Sequence, residues 1–251
     1  MEVNIKDPGL DSDWAKKRKK DVVELFSVQA PKYDLHDDII GLGVHRLWAR
    51  QLEKELKGFM AARKSATMLD LACGTGFIAF RIARKHHNID IDGFDITPEM
   101  VAVAKARKDK DFKERNINFW VGDSEVPYGK EKYDIITTCF AFRNFANKSL
   151  AAENVFQALK PGGIFIIQDM TKPEEGIIRK IYLFALKNML PIVSRVLGIA
   201  RSSPGYLYNT VMLMPRNEDI KMLLESKGFQ NAYFKSLSLG MGCIIVGFKT
   251  G

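Results

Sequence analysis

Cysteine and histidine are scarce in this 251-residue chain, with three and four copies respectively. Cys73, Cys139 and Cys243 are scattered and show no zinc-type spacing. That excludes a disulfide-stapled fold and points to a reduced, cytoplasmic compartment. No Gly-Lys-Ser/Thr follows a glycine turn, which excludes a P-loop nucleotide site. No apolar run is long enough to cross a bilayer free of charges. The opening "MEVNIKDPGLDSDW" is polar and acidic, unlike a secretory signal. Internal repeats and low-complexity segments are also missing.

What is present is ordinary globular material, 46% hydrophobic and 27% charged. The net charge of +8 leaves two readings open: an anionic partner such as nucleic acid or lipid, or simple solubility. The basic run Lys16–Lys20, "KKRKK", reads first as a solvated helix face or a mobile arm within a polar lead-in over 1–20.

From Val22 to Met60 the pattern is helical, broken at "APKYD" and "GLG". Strand-like and helix-like segments then alternate. The strands are "ATMLDLA", "IDIDGFDI", "INFWVG", "YDIITTCFAF" and "GIFIIQDM". Thr97 and Pro98 in "TPEM" mark an N-cap and first helical position. "LKPGG" marks a helix end and turn before the last of these strands. Residues 175–200 are helical, apolar and basic, with Pro191 placed to break or kink them. "NEDIKMLLESKGF" is an amphipathic helix with a glycine stop, followed by strands "NAYFKSL" and "GCIIVGFK". The order predicts an α/β fold with an open, mainly parallel sheet.

The stretch "TMLDLACGTGFIAF" runs from strand through Gly74 and Gly76 into helix. A dinucleotide fold wants a third glycine where Phe77 and Ile78 stand. Asp70 beside the turn would repel a pyrophosphate and attract a cation. Two readings stay open for Asp70: a turn cap, or a ligand for a cationic nucleoside such as S-adenosylmethionine. Asp95 ends the next strand about 20 residues on, the spacing of a ribose-binding acid. Asp123 and Ser124 follow a further strand, where Asp123 can accept from an adenine amino group. Each acid alone could belong to a turn; three at successive strand ends argue for a site.

Together these residues resemble the class I S-adenosylmethionine-dependent methyltransferases. Most closely they resemble the C-methyltransferases of ubiquinone and menaquinone biosynthesis, the UbiE/MenG type. The likeness covers roughly residues 25–249. Four blocks carry it: "YDLHDDIIGLGVHRLWAR", "LDLACGTG", "FAFRNFANKSLAAENVFQALKPGGIFII" and "GFQNAYFKSLSLGMGCIIVGFK". It implies a Rossmann-like, mostly parallel seven-stranded sheet with helices on both faces. A helical cap would span 1–60, the cofactor-binding core 61–174, a helical lid 175–215, and 216–251 would complete the sheet of a single domain.

The resemblance further implies that Tyr33 closes over the cofactor and that Asp70 and the Gly74–Gly76 backbone hold its methionine part. Asp95 would bind the ribose and Asp123 the adenine, with Ala72, Ile96, Ser124 and Cys139 completing the cofactor site. Arg143, Asn144 and Asp169 are the implied catalytic group, and His36, Phe140 and Tyr206 the acceptor pocket. On their own, Arg143 reads first as a structural ion pair and Asn144 as a turn or cap residue. Departures from the family pattern gather on the acceptor side. His36-Asp37 replaces methionine-asparagine, Gly41 a serine, Asp169 a glutamate, Thr171 a serine, Asn209 a glutamate and Ile245 a histidine.

The expected activity is methyl transfer from S-adenosylmethionine to a carbon of a reduced, prenylated quinone precursor, releasing S-adenosylhomocysteine. No metal is expected, because the sulfonium is already an electrophile. Rival readings are a methyltransferase for another lipophilic or small acceptor, and a cofactor-binding subunit without catalysis. A nucleic-acid methyltransferase is a third rival, but the chain lacks an Asn/Asp-Pro-Pro-Tyr motif and no nucleic-acid partner is expected. A peripheral contact with membrane lipid and a homodimer complete the expected associations.

Overall fold

The computed structural model describes residues 13–33, 43–196 and 205–251. Its centre is a seven-stranded sheet in the order β3-β2-β1-β4-β5-β7-β6. The strands are β1 (Ala66–Leu71), β2 (Ile89–Asp95), β3 (Ile117–Val121), β4 (Tyr133–Cys139), β5 (Leu159–Met170), β6 (Gln230–Leu237) and β7 (Gly242–Lys249). The pairings from β3 across to β5 are parallel. Only β7 runs against its neighbours β5 and β6.

Why the strands are apolar on consecutive residues follows from this placement. Successive side chains point to opposite faces, and both faces are covered. Met68, Ile135, Ile166 and Ile244 enter one core. Their neighbours Leu69, Ile136, Ile167 and Ile245 enter the other. Helices α2 (Val44–Met60), α3 (Phe77–Lys85) and α4 (Pro98–Asp111) cover the first face. Helices α5 (Lys148–Ala158) and α9 (Asn217–Ser226) cover the second. One contact sets the spacing of α2: a Cβ at Gly242 would lie 2.3 Å from the Trp48 ring. Only glycine lets that indole reach Ser238 Oγ, to which its Nε1 donates at 2.8 Å.

Several local expectations need correcting. Of the two readings of the basic run, the helix face holds and the mobile arm does not: the run lies inside helix α1 (Asp13–Gln29). "YDIITTCFAF" is a strand only to Cys139, because Phe140 turns left-handed at φ 58° and a 3₁₀ turn, Phe142–Asn144, follows. "LKPGG" makes no separate turn. It is taken into β5, whose register against β4 shifts between Tyr133 and Ile135. Thr97 holds the N-cap position, but its side chain makes no capping bond. Pro191 does not end the lid helix: α6 (Ile177–Phe184) passes through a π turn, Ala185–Met189, into α7 (Leu190–Val196). The widened turn just before the proline accommodates the i−4 carbonyl that the ring would otherwise strike. Helix α8 (Tyr206–Leu213) completes the lid. Among the described residues no helix is long and apolar enough to cross a membrane.

Candidate active site

Strand order reverses between β1 and β4, and at such a switch point a crevice opens outside the carboxyl ends of the strands. An open cavity of about 1050 Å³ occupies that position. Asp70 of β1, Asp95 of β2, Asp123 just after β3 and Cys139 of β4 all line it. So do Ala72, Gly74, Ile96 and Ser124. Two residues there hold left-handed backbone without being glycine, Ala72 at φ 56° and Phe140 at φ 58°. Such conformations cost about 1–3 kcal/mol each and gather at functional sites.

Asp70 is buried, and its oxygens hold the turn. Thr137 Oγ1 donates to Oδ1 at 3.0 Å and the Ala79 N–H to Oδ2 at 3.2 Å. The turn-cap reading is therefore real, and it coexists with a place on the cavity wall. Asp95 is also tied to the turn: Gly74 N–H donates to Oδ2 at 2.9 Å and Thr97 N–H to Oδ1 at 2.8 Å. A Cβ at Gly74 would meet no atom within 4 Å, so the turn presents open backbone to the cavity. Gly76 does not line the cavity; at φ 82° it starts α3, and a Cβ there would strike Phe80 at 2.5 Å.

Burial pushes Asp70 up to about 7, against its two hydrogen bonds and with added repulsion from Asp95. Asp95 is raised too, again by burial. A carboxyl raised on folding binds more protons in the native state than in the unfolded chain. Its contribution to stability is full below about pH 4, the unfolded value, and is lost as pH rises through about 7. A cationic ligand favours the carboxylate, so binding expels a proton and strengthens with pH. Between pH 6 and 7.5 the dissociation constant for S-adenosylmethionine should improve about eightfold. Isothermal titration in two buffers of different ionisation enthalpy would detect the released proton. A pH-independent affinity would show that Asp70 stays ionised or lies away from the ligand.

The third acid is already engaged. Lys19 Nζ lies 2.7 Å from Asp123 Oδ2 and 2.9 Å from Glu125 Oε2. Lys19, Val22 and Phe26 share one face of α1 and line the cavity with Tyr33 beyond them. Sequence reasoning missed Lys19 and Glu125. A run of five basic residues does not say which one points inward, but the i, i+3, i+7 spacing of Lys19, Val22 and Phe26 does. His45 and Phe77 also line the cavity, their rings 5.3 Å apart.

On the acceptor side, Phe140 and Asn144 line the cavity, with the Trp48 ring stacked on Phe140 at 5.9 Å. Tyr206 of the lid donates its hydroxyl to Asn144 Oδ1 at 2.9 Å. Arg143 and Asp169 are not on the wall. They form a buried ion pair beneath it, Nη1 to Oδ1 at 2.5 Å, and Asp169 Oδ2 accepts the Arg143 N–H at 2.9 Å. Burial lowers the affinity of Arg143 for its proton, but Asp169, Tyr206 and Tyr33 together raise it by more, so the guanidinium is firmly charged. Burial pushes the Cys139 and Cys73 thiols well up, so neither is a ready nucleophile. His36 lies outside the described residues.

The ubiE/COQ5 methyltransferase family matches residues 14–249 of the chain. Ubiquinone/menaquinone biosynthesis C-methyltransferase UbiE of Rickettsia prowazekii is 29% identical over 94% of this chain and 95% of that protein. The mitochondrial 2-methoxy-6-polyprenyl-1,4-benzoquinol methylase of Caenorhabditis elegans is 31% identical over 95% of this chain and 83% of that protein. Among solved structures, a SAM-dependent methyltransferase of Thermotoga maritima superposes with TM-score 0.62 at 16% identity, over 90% of this chain and 99% of that one. Phosphoethanolamine N-methyltransferase 2 of Haemonchus contortus, in complex with S-adenosyl-L-methionine, gives 0.60 at 15% identity, over 80% of this chain and 53% of that one. At such identities the superpositions bear on the fold alone.

Proposed function

This chain belongs to the ubiE/COQ5 methyltransferase family, and from that premise we propose that it methylates a ring carbon of a reduced, prenylated naphthoquinol or benzoquinol. Its methyl donor is S-adenosylmethionine, which supplies a methyl group already activated on a sulfonium. The residues present fit that cofactor. Acceptor-only carboxylates stand at three strand ends for ammonium, ribose and adenine donors, and the open backbone of Gly74 faces the same cavity.

The observation that carries the acceptor assignment is one group of residues on the cavity wall, which includes the Phe26–Tyr33 ring contact. There Phe140, Phe26 and Tyr33 supply aromatic walls, and Asn144 is the polar group among them. With Oδ1 taken by Tyr206, the Asn144 amide keeps its N–H groups as donors for an acceptor oxygen. The charge of Arg143 acts on Tyr206, the hydrogen-bond partner of Asn144. These groups favour a phenolate over a phenol, and a phenolate makes the neighbouring ring carbon a strong nucleophile. An oxidised quinone has no such carbon, so the reduced ring is required.

The lid supports a lipid-borne acceptor. Ile177, Ile181, Phe184 and Ile192 are largely exposed on α6 and α7, interspersed with Lys180, Lys187 and Arg195. An apolar face flanked by cations suits the surface of an anionic membrane. The test offers demethylmenaquinol and a demethylated prenyl benzoquinol, each reduced and oxidised, in anionic vesicles. Only reduced acceptors should gain a methyl group, on carbon, and turnover should fall as salt screens the lipid. A methyl group on oxygen, or turnover of the oxidised ring, would contradict the assignment.

A further inference from the structure

We propose that Lys19 is a positioning residue of the cofactor site. By pairing with Asp123 and Glu125 it latches helix α1 over the adenine end of the cavity and slows the cofactor's escape.

The basic run divides sharply. Lys16, Lys17 and Lys20 are exposed, while Arg18 and Lys19 are partly buried against the body of the protein. Lys19 is the one lysine or arginine among the described residues lining the cavity, whose wall also carries Asp70, Asp95, Asp123 and Glu125; of these acids it pairs with Asp123 and Glu125. Its anchor is rigid. Glu125 is buried, and its Oε1 accepts from the backbone N–H groups of Ala146 and Asn147, both at 2.9 Å. Asp123 is fixed as well, since its Oδ1 accepts the Glu125 N–H at 2.9 Å. That leaves Asp123 Oδ2, which Lys19 holds at 2.7 Å. A carboxylate oxygen has two lone-pair positions, so Oδ2 can keep Lys19 and also accept from an adenine amino group.

The helix that carries Lys19 is held mainly by polar ties and partly buried side chains. Ala15 is its only fully buried residue. A segment with so little core packing and several polar ties belongs to the part of a protein that opens most readily. Its other ties reach both ends of the cavity. Ser27 donates to Glu99 Oε2 at 2.6 Å beyond the end of β2. Arg18 donates to the Arg143 carbonyl at 3.0 Å, and Phe26 meets the edge of Tyr206 at 6.1 Å. Closing α1 on the adenine end therefore also places Phe26 against the lid and Arg18 against the floor of the acceptor side.

The test uses the full chain and reads binding and exchange, so it does not depend on the acceptor. Dissociation of S-adenosylhomocysteine is followed by stopped flow in wild type, Lys19→Met, Lys19→Arg and Lys20→Met. Hydrogen exchange of residues 13–33 is measured with and without the ligand. Lys19→Met should release the ligand roughly five- to tenfold faster, the worth of one partly buried ion pair. It should also lose the protection that the ligand confers on α1, while exchange in β1 and β4 stays as in wild type. Lys19→Arg should restore both properties, and Lys20→Met should match wild type. Release of the ligand from Lys19→Met at the wild-type rate, or unchanged exchange in α1, would overturn the latch. Tighter binding by Lys19→Met would also overturn it, because Lys19 would then be a competitor of the adenine.

Discussion

Arg143→Ala should destabilise the folded chain by about 3–5 kcal/mol, the cost of removing one partner from a buried ion pair. The Arg143 side chain is 7% exposed and that of Asp169 not at all. With neither group solvated, their attraction is weakly screened. Arg143 also donates through Nη1 to the Phe140 carbonyl, which steadies the left-handed residue at the end of β4. Asp169 meanwhile accepts the N–H of Met170 at 2.7 Å. Alanine would leave that carboxylate without a counter-charge beside a strand end under backbone strain. Urea denaturation with circular dichroism measures the loss. Arg143→Lys should lie between, because it restores the charge without the planar fork. The double replacement Arg143→Met with Asp169→Leu should recover only part of the stability: apolar pairs can replace buried ion pairs, but the N–H groups of Arg143 and Met170 lose the acceptor that Asp169 gives them. A single Arg143→Ala variant within about 1 kcal/mol of wild type would mean the pair is a surface-like one of little weight.

A fall in turnover for Arg143→Ala combines a collapsing floor with any lost electrostatic help to the acceptor. Only variants that unfold at the wild-type midpoint separate the two. Activity should therefore be compared between Arg143→Lys and wild type well below the unfolding transition.

Parts of this site were legible in the chain because they are periodic. Asp70, Asp95 and Asp123 stand at the ends of apolar strands, and a parallel sheet brings such ends to one edge whatever the loops do. The seven strands were legible for the same reason, being apolar runs bounded by turn residues. What escaped depends on contacts distant in sequence. Asp169 and Arg143 are separated by 26 positions and meet only because β4 and β5 are neighbours. Both resembled acceptor-facing groups, yet the geometry turns them towards each other. Lys19 and Asp123 are 104 positions apart, and nothing local in a basic run announces an acid partner. The left-handed backbone at Phe140 escaped for another reason. A bulky residue in left-handed backbone opposes local preference, and the surrounding packing imposes it.

Asn144 sits where those long-range contacts converge, and its proposed role leads to the largest expected loss of catalysis. The 3₁₀ turn Phe142–Asn144 carries it, Arg143 pins that turn to Asp169, and the Tyr206 hydroxyl takes its amide oxygen. Each tie orients the Nδ2 protons before an acceptor arrives, so no reorganisation is needed as negative charge grows on the phenol oxygen. Donors fixed in advance in this way contribute about 2.7–4 kcal/mol to a transition state. Asn144→Ala should therefore lower kcat by about 10²–10³, with little change in S-adenosylmethionine affinity and a stability near wild type. Tyr206→Phe removes the orienting bond but keeps the donor. It should cost only about tenfold, the effect of one ordinary hydrogen bond. Asn144→Asp should be worse than alanine, because it sets a carboxylate against the developing phenolate. Steady-state kinetics with a reduced acceptor, alongside calorimetry for the cofactor, separates these outcomes. Wild-type kcat in Asn144→Ala would remove the residue from the chemistry.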